Sequence, residues 1–158
     1  MKTINYVTNL ALKNYSGGGG GINMLAYKEL KKYFNINYVG PINPSINYLS
    51  KIISKLKRIT FSKGNYYYFS ESRLQEIADQ TEDEIKANNS DYTFYHGPTS
   101  WIKTRNKLPY FVYMDACFAT YVKIYNNPKE FNSKDLNRIY RQEKRFLSNA
   151  SKVFFRSK

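Results

Sequence analysis

Short apolar and aromatic runs alternate along this chain with segments whose apolar residues recur every three or four positions. The runs Ile4–Thr8, Ile36–Val39, Tyr66–Phe69, Tyr92–Tyr95, Tyr110–Met114 and Val153–Phe155 are rich in Tyr, Phe, Val and Ile, and several are flanked by Gly or Pro, which reads as strands. Their apolar character is continuous rather than alternating, which suits strands covered on both faces. Between them, Ile22, Leu25, Ala26, Leu30 and Tyr33 stand at helical spacing, as do Tyr48, Leu49, Ile52, Ile53 and Leu56. Ser72-Arg73-Leu74-Gln75 has the form of a capping box and predicts a third helix with Leu74, Ile77, Ala78 and Ile85 on one face. Ser133 is placed to cap a fourth, with Asp135 in its first turn and Leu136, Ile139, Tyr140, Phe146, Leu147 and Ala150 as its apolar face. This alternation predicts a Rossmann-like α/β domain with a mainly parallel sheet and helices on both faces.

The first strand and first helix are joined by Asn14-Tyr15-Ser16-Gly17-Gly18-Gly19-Gly20-Gly21. Glycines let a backbone approach a ligand without a Cβ in the way, and the free N–H groups that open a helix favour an anion. The segment therefore reads either as a phosphate-binding loop or as a flexible surface loop. Two phosphate motifs are excluded by spacing. A Walker loop ends in Gly-Lys-Ser/Thr, whereas Gly21 is followed by Ile22-Asn23. The dinucleotide fingerprint needs a glycine six positions in, which is Ile22 counted from Gly17 and Asn23 counted from Gly18. The acid expected at the end of the second strand is also missing, because that strand runs into Gly40-Pro41.

At 158 residues the chain is sized for one domain with a real core. It has no run of eighteen apolar residues and no long apolar stretch at its N-terminus, so neither a membrane span nor a signal peptide is expected. A single cysteine, Cys117, excludes an internal disulfide and fits a reducing, cytoplasmic compartment. The net charge is +13, which suits nucleic acid, an anionic membrane surface or phosphorylated ligands. A chain loaded with Lys, Asn, Ile, Tyr and Phe also fits an A/T-rich coding sequence, so charge alone gives only an electrostatic preference.

Candidate chemistry gathers at predicted strand ends, where ligands of open α/β sheets bind. Asp115 ends the Tyr110–Met114 strand and is read as a cleft carboxylate, the alternative being a cap for the next helix or turn. His96 ends the Tyr92–Tyr95 strand, as a sugar or phosphate contact or as a hydrogen-bonded structural residue. A lone histidine without Cys or carboxylates at ligand spacing is not a zinc site. Cys117 has no local base and is read as a small buried residue. Lys103, Arg105 and Lys107 follow Trp101, as contacts for a phosphorylated acceptor or as a solvated loop. Lys51, Lys55, Lys57, Arg58 and Lys63 overlap the second helix. That helix is expected to face the core with a solvated basic side, although a basic amphipathic helix also suits an anionic membrane.

Three segments carry a resemblance that spans nearly the whole chain: Tyr15-Ser16-Gly17-Gly18-Gly19 after the first strand, Pro109-Tyr110-Phe111-Val112-Tyr113-Met114-Asp115-Ala116-Cys117-Phe118, and Ala150-Ser151-Lys152-Val153-Phe154-Phe155-Arg156-Ser157. In their order the chain resembles the N-terminal, acceptor-side half of a GT-B glycosyltransferase, of the retaining class that includes sucrose synthases and mannosyltransferases. The resemblance implies sugar transfer from a nucleotide-sugar donor to a sugar or lipid-linked acceptor, with no cofactor and no metal. It places Gly17, Gly18 and Gly19 near the donor diphosphate and Asp115 at the catalytic, acceptor side, and the readings of His96, Lys103 and Arg105 given above add them to the substrate contacts. The family often has histidine where this chain has Asp115.

The donor-side glutamate pair of the family belongs to a C-terminal domain. Glu76 and Glu84 share its spacing by coincidence, on a helix of the other domain. Residues 1–158 are thus expected to form one Rossmann-like domain, with the donor-binding domain absent and the isolated chain inactive. Peripheral contact with the inner face of a membrane is compatible with the basic helix. The alternative is a non-enzymatic basic module binding nucleic acid or an anionic surface. Nucleic acid is the weaker partner, since no RRM, KH or zinc-knuckle pattern occurs.

Overall fold

The computed structural model describes residues 1–12 and 18–156. Its strands are β1 (Thr3–Val7), β2 (Asn35–Val39), β3 (Tyr92–His96), β4 (Tyr110–Met114) and β5 (Lys152–Phe155). They form one all-parallel sheet in the order β2-β1-β3-β4-β5. The helices are α1 (Gly18–Lys31), α2 (Tyr48–Phe61), α3 (Glu71–Lys86), α4 (Phe118–Tyr125) and α5 (Ser133–Ser148).

The strand order sorts the helices by face. The step from β1 to β2 runs one way across the sheet and the later steps run the other way. Right-handed crossovers therefore place their helices on opposite faces. On one face Val7, Val39, Tyr95 and Val112 pack with Leu74 and Ile77 of α3, Phe118 and Val122 of α4, and Leu136, Ile139 and Phe146 of α5. Trp101, fully buried, joins this core. On the other face α1 sets Tyr27 edge-on to Tyr6 at 5.5 Å, and Tyr6 stacks on Phe94. The structure is thus the Rossmann-like α/β fold that the alternation predicts.

Several local expectations are corrected. Tyr66–Phe69 is no strand: Tyr67–Phe69 form a 3-10 turn. The backbone N–H of Tyr66 donates to the Asp135 carboxylate at 2.7 Å, and its ring packs on Phe69, Phe118 and Phe131. Aromatic content gave the segment strand propensity, but its partners are side chains rather than a neighbouring strand. The third helix begins at Glu71 with Ser70 at its N-cap and no side-chain cap, so the capping box at Ser72 does not form. Asn132, not Ser133, caps α5, accepting from the backbone of Lys134. Helix α4 forms in a stretch for which the sequence pattern predicts no helix. Helix α2 does not face the core: Ser54 is its only buried residue.

Gly40 is one glycine whose identity the fold dictates. Its φ is +134°, and a Cβ there would lie 2.3 Å from the Thr8 carbonyl oxygen. The same carbonyl accepts from Ile42 N–H, closing the ends of β1 and β2 together.

Candidate functional site

In a sheet ordered 2-1-3-4-5 the connections leaving β1 and β3 diverge, and a crevice opens where their C-terminal ends part. Helix α1 opens beside that point. Gly18 to Gly21 make its first turn, so much of the glycine run is helix rather than loop. Gly17 and the rest of Lys13–Gly17 lie outside the described residues. The first turn of α1 carries no acidic residue to neutralise its N–H groups. At Gly19 a Cβ would meet only Leu10 Cδ1, at an ordinary 3.8 Å. Packing thus does not require glycine there, although glycine inside a helix costs about 1 kcal/mol against alanine.

Buried hydrogen bonds hold α1 to the end of β1. Tyr6 hydroxyl donates to Asn23 Oδ1 at 2.7 Å, and Asn23 Nδ2 donates to the Leu10 carbonyl at 3.3 Å. Tyr38 hydroxyl reaches the same carbonyl. Burial pushes the Tyr6 phenol well above its ordinary range, so it serves as a neutral donor.

His96 ends β3 on the α1 side of the sheet. Its ring stacks on Tyr113 at 5.5 Å, and its Nε2 is buried with no hydrogen-bond partner among the described residues. Burial lowers its pKa, and the Asp115 charge opposes that shift only in part. The imidazole is therefore neutral at pH 7. Gly97 follows with φ +80°, and its N–H donates to the Tyr113 carbonyl at 2.8 Å.

Asp115 stands at the end of β4, exposed, with no side-chain hydrogen bond to a described residue. It does not cap the next helix. Cys117 holds the N-cap position of α4, half-buried rather than buried, with Sγ 3.2 Å from Thr120 Oγ1. The Phe118 N–H that opens α4 donates to Glu143 Oε2 at 2.8 Å instead. Glu143 is 3 % exposed, and its other oxygen accepts from Thr99 at 2.6 Å. It links α5 to the exits of β3 and β4. Burial raises its pKa, partly offset by those two hydrogen bonds.

Sequence reasoning missed Glu143 because its partners lie 44 and 25 residues away. The one available signal was a carboxylate at position 143 amid the apolar residues Ile139, Tyr140, Phe146 and Leu147.

The structure brings His96, Asp115 and the start of α1 to one edge of the sheet, and it takes Lys103 and Arg105 away from it. Their segment leaves the end of β3 and returns to the start of β4. Lys103 Nζ pairs with Glu71 at 2.6 Å. Arg105 lines a cavity with Ser90 and Thr93, at the N-terminal end of β3.

Among the described residues no three His, Cys, Asp or Glu side chains come together as a metal site. No protein-family model matches this chain, and no curated protein matches it.

Proposed function

We propose that this chain is the acceptor-side Rossmann-like domain of a retaining GT-B glycosyltransferase, working with a donor-binding domain outside these residues. The observation that carries the reading is the edge itself. A glycine-led helix start, a neutral half-buried His96 and an exposed, unpaired Asp115 stand on neighbouring elements at the switch point of a parallel sheet. Anionic and polar groups of a nucleotide-sugar suit the first two. A sugar hydroxyl suits the third.

In this reading the helix start receives the diphosphate, and the missing side chain at Gly19 leaves room for it. His96 Nε2 hydrogen-bonds a sugar hydroxyl or a phosphate oxygen. Asp115 accepts a hydrogen bond from the acceptor hydroxyl, or takes its proton as that oxygen bonds to the anomeric carbon on the same face from which the nucleoside diphosphate leaves. Lys103 and Arg105 keep no part in the site.

The test is Asp115→Asn in an enzyme that joins this domain to its donor-binding partner. A proton-moving Asp115 predicts a fall in kcat of about tenfold or more, since positioned acid–base groups contribute ~10²–10⁴. A carboxylate that only holds the acceptor predicts a raised acceptor KM with kcat little changed. Unchanged kinetics with a lower Tm would leave Asp115 structural and remove it from the site. The 158-residue chain alone is expected to show no transfer, and robust turnover by it would contradict the two-domain reading.

A further inference from the structure

Helix α2 turns its apolar side outward. Tyr48, Leu49, Ile52, Ile53, Leu56 and Ile59 share one stripe at helical spacing and are 37 % to 74 % exposed. Ser54, the buried residue, is two positions from both Ile52 and Leu56, roughly 160° around the helix from each. This orientation has a seat built for it. Ser54 hydroxyl donates to the Asn65 carbonyl at 2.7 Å. Gly64 comes so close that a Cβ on it would lie 2.7 Å from Ser54 Oγ and 3.1 Å from the Ser54 carbonyl oxygen. Gly64 is itself fixed by backbone hydrogen bonds to Glu130 and Asn132.

The charges around the stripe have one sign. Lys51, Lys55, Lys57, Arg58 and Lys63 lie on or just after α2, and no Asp or Glu occurs between Glu29 and Glu71. Lys51, Lys55 and Arg58 border a cavity of about 460 Å³ shared with Tyr67 and Tyr68. A single carboxylate, Glu130, comes near, 3.8 Å from Arg58.

We propose that α2 is an interfacial helix that docks this protein on an anionic phospholipid bilayer. The aliphatic stripe enters the boundary between headgroups and acyl chains, and the flanking lysines reach the phosphates. Charge selects this occupant. A second copy of the chain would bring like charges together around the stripe. Single-stranded nucleic acid is gripped through stacking aromatics, whereas this stripe is mainly Leu and Ile. No helix among the described residues is long and apolar enough to cross a membrane, so the contact lies along the surface. Helix α2 leaves the sheet from the C-terminal end of β2, the edge at which His96 and Asp115 stand. The proposal does not depend on the sugar-transfer reading.

The test is co-sedimentation of the 158-residue chain with vesicles of phosphatidylcholine containing phosphatidylglycerol and with pure phosphatidylcholine. Binding is expected to the anionic vesicles, about tenfold or more tighter than to the neutral ones, and to weaken as salt rises. The Ile52→Asn, Leu56→Asn double variant should lose at least about tenfold in binding while its Tm hardly moves, because both side chains are exposed. Lys55→Gln with Lys57→Gln should lose about tenfold. Absence of binding to either vesicle overturns the proposal, as does undiminished binding by the apolar double variant. A concentration-dependent dimer in buffer that this variant abolishes overturns it in favour of a second copy.

Discussion

Helices α2 and α5 carry similar sequence patterns, an apolar stripe beside a row of lysines and arginines, and the fold uses them in opposite ways. Helix α5 buries Leu136, Ile139 and Phe146 in the main core. One of its basic residues is tied down: Arg138 bonds Asp135 at 2.9 Å, Glu71 at 3.0 Å and the Phe69 carbonyl at 2.7 Å. Helix α2 buries one serine, shows its stripe to the outside and has one long ion pair. Periodicity establishes that a helix has an apolar side but not what that side meets. The two are told apart by what surrounds the stripe. Asp135 gives α5 an internal partner for Arg138, whereas α2 lies in a long stretch without acids and is seated through Ser54 and Gly64.

The largest expected effect comes from truncating the two stripes in parallel. Ile139→Ala empties a fully buried site and should cost about 3 kcal/mol, or about 6–12 °C in Tm for a domain of this size. Ile52→Ala should stay within about 0.5 kcal/mol of the parent, since its side chain already meets solvent. Denaturant titration of both variants checks the pair. Equal losses would mean that α2 packs inward and would break the comparison.

A smaller, pH-dependent effect belongs to Glu143, the buried polar residue of α5. Its pKa is raised in the fold, so folding favours its protonated form. The stability linked to that preference is fully present below the unfolded carboxyl pKa and is lost as pH rises through the raised one. Glu143→Gln keeps an acceptor for Phe118 N–H and carries no charge. Its stability relative to the parent should therefore improve as pH rises from about 4 to 7. A gap that stays flat or shrinks would mean that the hydrogen bonds from Thr99 and Phe118 outweigh the burial of the charge.

Five strands were legible because each is a short apolar run with enough sheet neighbours to realise its propensity. Tyr66–Phe69 had the same local appearance but meets Phe118 and Phe131, residues far along the chain. Helix α4 escaped notice because its opening N–H is satisfied by Glu143 from another helix, not by a local cap. The places of His96 and Asp115 at the ends of β3 and β4 were legible from the strand pattern alone, and their part in a site is the proposal made above. Lys103 and Arg105 look like neighbours of that site in the sequence. The return of the chain to the start of β4 takes Arg105 toward the N-terminal end of β3, and Lys103 is drawn to Glu71 at the start of α3.

The proposed sugar-transfer reading puts the nucleotide-sugar at the strand-end edge and not in the basic groove of α2. An amide NMR titration of the labelled chain with uridine and guanosine diphosphate sugars addresses it directly. Weak binding is expected, with shifts gathered at Gly18 to Asn23, His96, Gly97 and Asp115 and none along Lys51 to Arg58. Shifts confined to α2, or no shifts at the strand ends at millimolar ligand, would contradict it.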